Sequence, residues 1–108
     1  MVTANVGSFF KNPIIDQHIA ETLKIDFPEL PVFQSSGNTA KLSAAWMIDQ
    51  CGWKGHREGD AGVSNQHALV LVNYGNASGR HLLELAKAIT ESVEQRFGIE
   101  LKPEPRII

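Results

Sequence analysis

Residues 76–98 constrain the fold more than any other stretch. Asn76-Ala77-Ser78 offers side-chain acceptors for the free N–H groups of a helix start. Leu82, Ala86, Ile89, Val93 and Phe97 then follow at steps of 4, 3, 4 and 4 residues before Gly98. That spacing predicts an amphipathic helix with one apolar stripe, closed by a glycine able to take a left-handed cap. Such a stripe needs a partner layer, and the rest of the chain must supply it.

Strand-like segments stand on both sides of other helical patterns. Gly7-Ser8-Phe9-Phe10-Lys11-Asn12-Pro13 predicts a short strand ending at Asn12, because proline cannot continue a ladder. Ile15, Ile19 and Leu23 recur every fourth residue, which predicts a helix over 14–25 with those three on its buried face and Pro28 and Pro31 beyond its end. Residues 34–40 are small and polar and predict an exposed loop. A helix is expected over 41–51, with Leu42, Ala45, Trp46 and Asp49 on one face and Gly52 as its left-handed cap.

Four glycines within 52–66 suggest a loop whose path depends on special backbone angles, and 67–73 reads as a buried strand. The tail from Ile99 alternates apolar and polar residues, but Pro103 and Pro105 restrict it to an edge strand or an extended terminus. The expected architecture is α+β: a single compact domain over 1–108, with one small sheet, mostly antiparallel or mixed, and about three helices packed against it. The order of strands cannot be read.

Composition narrows the function. Of the 108 residues, 43% are hydrophobic and 20% charged, in keeping with one globular core. The net charge of −2, without blocks of like sign, gives no general attraction to nucleic acid or an anionic membrane. The apolar run 68–72 is too short to span a bilayer. Cys51 is the lone cysteine, so no internal disulfide can form, and a reducing compartment, the cytoplasm by default, fits.

Known catalytic patterns find little support. The glycines of 52–62 lead to a strand, whereas a dinucleotide loop leads from a strand into a helix, so this chain is not expected to hold NADPH or flavin by itself. His18, His56, His67 and His81 show no i, i+4 pair, and no metal site is expected. Ser8 precedes two phenylalanines and lacks the sharp strand-to-helix turn of a hydrolase nucleophile. Ser8, Lys11 and Asn12 nonetheless gather a hydroxyl, a cation and an amide at one strand end. Trp46, Met47 and Ile48 read as core or interdomain packing, Cys51 as a buried small hydrophobe, and Asp49 as a capping or structural carboxylate.

Several blocks together carry a resemblance. They are Asn5-Val6-Gly7-Ser8-Phe9-Phe10-Lys11-Asn12-Pro13; Lys41 to Gly55 with its Ile48-Asp49-Gln50-Cys51 core; Gly59-Asp60-Ala61-Gly62-Val63; and Ala68-Leu69-Val70-Leu71-Val72-Asn73. Phe97-Gly98-Ile99, Pro103-Glu104 and Arg106-Ile107-Ile108 complete the set. In this order they closely resemble the C-terminal domain of the UDP-N-acetylenolpyruvoylglucosamine reductases, bacterial flavoenzymes of cell-wall precursor synthesis. The family's N-terminal, FAD-binding part has no counterpart in the chain.

The resemblance implies a reaction in which NADPH reduces FAD and the reduced flavin passes hydride to the enolpyruvyl group of the sugar nucleotide. This domain would close over UDP-N-acetylenolpyruvoylglucosamine against the N-terminal part. By the same matching, Ser8 corresponds to the proton donor and Glu104 to a glutamate at the carboxylate end of the substrate. Asn12, Lys54, Phe33 and Gln66 fall at or near substrate contacts, with His67 beside Gln66 as a competing assignment. Phe33 stands near a family tyrosine and keeps only its packing. Val6 replaces an alanine of the pattern, and Pro105 a valine. No reductase activity is expected of the domain alone. A non-catalytic sugar-nucleotide binding module is the alternative, and the retained Ser8 and Glu104 favour the enzyme.

Overall fold

The computed structural model describes the backbone of residues 4–8 and all of residues 10–102. Its elements run β1 (Ala4–Ser8), β2 (Ile14–Asp16), α1 (Gln17–Asp26), β3 (Val32–Gln34), β4 (Thr39–Leu42), α2 (Ala44–Gln50), β5 (Arg57–Glu58), β6 (Ala61–Val63), β7 (Val70–Asn73) and α3 (Gly79–Phe97). The fold is α+β with three helices among the described residues, as expected. Among the described residues the strands form two sheets instead of one, β1-β7-β6-β5 and β2-β4-β3, and the pairs between these strands are antiparallel.

The second sheet arises where a loop was expected. Residues 34–40 belong to a hairpin in which Val32 pairs with Leu42 and Gln34 with Ala40, and Gly37 turns the chain at φ +62°. Small polar residues mark a turn, but here they occupy a tight one, and the flanking residues enter the ladder. That hairpin also takes Lys41 and Leu42 away from the helix expected over 41–51. Helix α2 therefore starts at Ala44, with the Ser43 hydroxyl accepting from Trp46 N–H at 3.2 Å.

A similar competition shortens α1. Ile15 pairs with Ala40 of β4, so the first member of the predicted stripe lies in a strand. The helix begins at Gln17, where Asp16 caps it by accepting from His18 N–H at 2.8 Å. Its phase buries Ala20 and Leu23 and leaves Ile19 51% exposed. At the amino-terminal end β1 spans Ala4–Ser8, and Phe10 makes a further bridge within the segment expected to be a strand up to Asn12.

Helix α3 matches its expectation closely. The Ser78 hydroxyl accepts from His81 N–H at 3.1 Å, Gly98 closes the helix at φ +70°, and Leu85, Ala86, Ile89, Val93 and Phe97 are buried. Leu82 is half-buried against the same core. Met47 and Ile48 of α2, Val63 of β6 and Leu71 of β7 complete a continuous interior with Leu30 and Leu42. Beyond α3, Ile99 and Leu101 are buried, and Lys11 N–H donates to Lys102 O at 3.0 Å, which ties the tail to the segment after β1. Residues 103–108 lie outside the described residues.

Candidate functional site

Helix α2 has two unlike faces. Ala44, Met47 and Ile48 enter the core, whereas Ala45 and Trp46 are half-buried and Asp49 is exposed. The shared face expected for Ala45, Trp46 and Asp49 exists, but without Leu42, which lies in β4; Ala45 and Trp46 pack against the edge of the core and Asp49 reaches solvent. Ring contact with Phe97, at 5.9 Å between centroids, supports Trp46 from behind. This face forms one wall of an open concavity of about 540 Å³.

The opposite wall comes from two turns. Lys54 sits on the first, between Gly52 at φ +84° and Gly55 at φ +80°, values that a side-chain-bearing residue adopts only at a cost. Gln66, His67, Ala68 and Leu69 lie on the second, which joins β6 to β7, and Val70 at the start of β7 closes the floor. Gly62, by contrast, needs no special angle: an added Cβ would stand 2.9 Å from both His56 O and the Tyr74 ring, so only a glycine lets the β5–β6 hairpin lie against that ring. The 52–66 segment thus contains a hairpin as well as glycine-defined turns.

Among the predicted site residues, Lys54 and Gln66 meet at this concavity, and His67 stands beside them. Ser8 belongs to β1, where its register partner is Val70, itself on the concavity floor. Asn12 and Phe33 lie elsewhere. The Asn12 side chain accepts from Ala44 N–H at 3.0 Å and so anchors the start of α2, while Phe33 projects from the middle of β3 opposite Lys41, 54% exposed. Glu104 is outside the described residues. Sequence reasoning assigned no site role to the α2 face, which was signalled only by the helical spacing of Ala45, Trp46 and Asp49, or to Leu69, which carried no signal of its own.

Among the described residues, the loop geometry of a dinucleotide site finds little support. The one place among the described residues where a strand leads through a glycine-containing loop into a long helix is 73–79, and several of its loop N–H groups already have partners. Asn73 Oδ1 accepts from Gly75 and Ala77, Asp60 Oδ2 from Asn76, and Ser78 Oγ from His81. A dinucleotide diphosphate requires such groups free. Among the described residues no three His, Cys, Asp or Glu side chains are grouped to hold a metal ion, and no helix is long and apolar enough to cross a membrane.

Cys51, at the end of α2, is half-buried, less enclosed than expected. Its Sγ lies 3.7 Å from Ser92 O of α3. Burial pushes its thiol pKa up, and the nearby Arg96 guanidinium offsets part of that effect.

The two antiparallel sheets and three helices among the described residues define a small α+β domain with an open concavity, distinct from a doubly wound nucleotide-binding unit. The family model described as UDP-N-acetylenolpyruvoylglucosamine reductase, C-terminal domain, matches residues 1–108, and the chain belongs to that family. It is 56% identical to the UDP-N-acetylenolpyruvoylglucosamine reductase of Xanthomonas oryzae pv. oryzae (strain KACC10331 / KXO85), over 99% of this chain and 32% of that protein. The reductase of the same name from Xylella fastidiosa (strain 9a5c) is also 56% identical, over 99% of this chain and 31% of that protein. The chain thus spans about a third of the length of the curated relatives it matches.

Proposed function

We propose that this domain acts within a longer, cytoplasmic, FAD-dependent reductase that converts UDP-N-acetylenolpyruvoylglucosamine to UDP-N-acetylmuramate with NADPH. Residues 1–108 form its C-terminal part and close over the sugar nucleotide, and a preceding part holds the flavin. The observation that carries this reading is the meeting of Lys54 with the continuous stretch from Gln66 to Val70 at one concavity, where Val70 is also the register partner of Ser8. Family membership over the whole chain supports it.

The chemistry asks for such an arrangement. A flavin, when bound, supplies the hydride that adds to the terminal methylene of the enolpyruvyl ether. Negative charge then builds on the adjacent carbon and its carboxylate, and a proton must reach that carbon to leave the lactyl ether. In the proposed roles Ser8 delivers the proton and Glu104 acts at the carboxylate end. A serine hydroxyl is a weak acid, so Ser8 needs a nearby cation or a proton relay. Lys54 suits the diphosphate as a mobile point charge. Gln66 offers both a donor and an acceptor to the nucleotide. Asn12, by fixing the start of α2, serves the same site indirectly, and Phe33 offers an apolar surface.

The test joins this domain to a flavin-binding part and compares wild type with Ser8→Ala. NADPH oxidation dependent on the enolpyruvyl substrate should fall by a factor of roughly 10² or more, the scale of a lost general acid. Flavin reduction by NADPH alone should persist. Unchanged turnover would remove Ser8 as the acid.

A further inference from the structure

The turn that carries Gln66 and His67 is organised around Ser64, a half-buried residue that is not itself on the concavity wall. Ser64 N–H donates to Val70 O at 2.9 Å, and Val70 N–H donates to His67 O at 3.0 Å, which closes the turn at its base. Within it, the Ser64 hydroxyl oxygen accepts from both Gln66 N–H, at 3.1 Å, and His67 N–H, at 3.2 Å. The Ser64 carbonyl reaches the other turn, accepting from Gly55 N–H at 3.2 Å, one residue after Lys54. One residue therefore links the backbone carrying Lys54 to the backbone carrying Gln66 and His67.

We propose that Ser64 is a positioning residue for sugar-nucleotide binding, holding the Lys54 turn and the Gln66–His67 turn in a fixed relation across the edge of the concavity. The inference rests on the proposed role of that concavity in binding the sugar nucleotide. Gln66 and His67 are exposed, so burial does little to orient them. Their directions are set by two successive N–H groups anchored on a single oxygen. Removing that oxygen lets both amides turn to water and frees the turn to rotate, while the bond from Gly55 to the Ser64 carbonyl remains. The loss falls on binding geometry, because the core beneath does not involve the hydroxyl.

Threonine and valine at position 64 have nearly the same shape and differ in the hydroxyl. In the full reductase, Ser64→Val should raise KM for the sugar nucleotide roughly tenfold, the factor carried by two modest hydrogen bonds. Neither kcat nor flavin reduction by NADPH should change, and Ser64→Thr should restore the wild-type KM. Equal KM values in the valine and threonine variants, or a fall in kcat at constant KM, overturn the proposal. If valine prevents folding, Ser64→Ala is read against threonine by the same criteria. A Lys54→Ala control separates the two levels. Unchanged KM in that variant removes the nucleotide from this concavity and sinks both readings. A raised KM there, with valine and threonine alike, sinks the role of Ser64 alone.

Discussion

Helix α3 holds its place by burying Leu85, Ala86, Ile89, Val93 and Phe97, whereas the turns bearing Lys54 and Gln66 leave both of those side chains exposed and are secured by backbone hydrogen bonds. Both regions face the same small domain, yet they answer to different physics. Apolar burial is non-directional and depends on volume and area. A turn depends on dihedral angles and on individual donors finding acceptors, and it can present charged side chains to solvent with little loss. Under the proposed function, stability and recognition fall to separate parts of the chain, and substitutions should divide along the same line.

The largest effect is expected in the helix. Ile89 is fully enclosed, and Ile89→Ala should lower unfolding free energy by about 2–5 kcal/mol in denaturant titration, through lost transfer energy and the cavity left behind. A loss comparable with that of an exposed substitution would break the contrast, since it would mean that α3 is not where the stability resides.

A smaller effect is expected at the rim. Gly52 has φ +84° and nothing within 4 Å of a built Cβ, so Gly52→Ala should cost about 1–2 kcal/mol through backbone strain alone, without a steric clash. The same denaturation measurement checks it. If the variant also weakens nucleotide binding, the turn angles serve recognition as well as stability, which sharpens the comparison.

The smallest effect concerns the seam between the regions, where Cys51 at the end of α2 meets Ser92 of α3. Burial favours the neutral thiol, so the folded pKa lies above the ordinary value of 9.0. The folded state then binds this proton more tightly than the unfolded state. The contribution is fully present below the unfolded pKa and is lost as pH rises through the folded one. Stability measured from pH 8 upward should therefore decline slightly more in wild type than in Cys51→Ala. Parallel curves would show that the seam is open to water.

Legibility in the sequence followed the same division. Helix α3 was readable from Ser78 to Gly98 because its cap, stripe and closing glycine agree, and local propensity and tertiary packing select the same structure. The left-handed glycine at position 52 was readable too. Residues 14–16 and 39–42 were not: Ile15, Lys41 and Leu42 fit helical spacing but enter β2 and β4, because each strand supplies the other's hydrogen bonds. Lys54 and Gln66 were named as site residues by resemblance, but nothing in their own sequence context places them on neighbouring turns. Ser64 was silent altogether, since a serine's worth depends on which N–H groups come within reach.

By itself the sequence determined the α+β class, the course of α3, the glycine-dependent turns and the family resemblance. Each of these is encoded within a short stretch or in a specific string of residues. The tertiary structure alone decided that the described strands form two sheets, that Ala45, Trp46 and Asp49 of α2 line a concavity, and that Lys54 and Gln66 line the same one beside Val70, the register partner of Ser8. Those outcomes depend on pairings between distant segments, where a backbone group's partner is settled by competition across the whole chain.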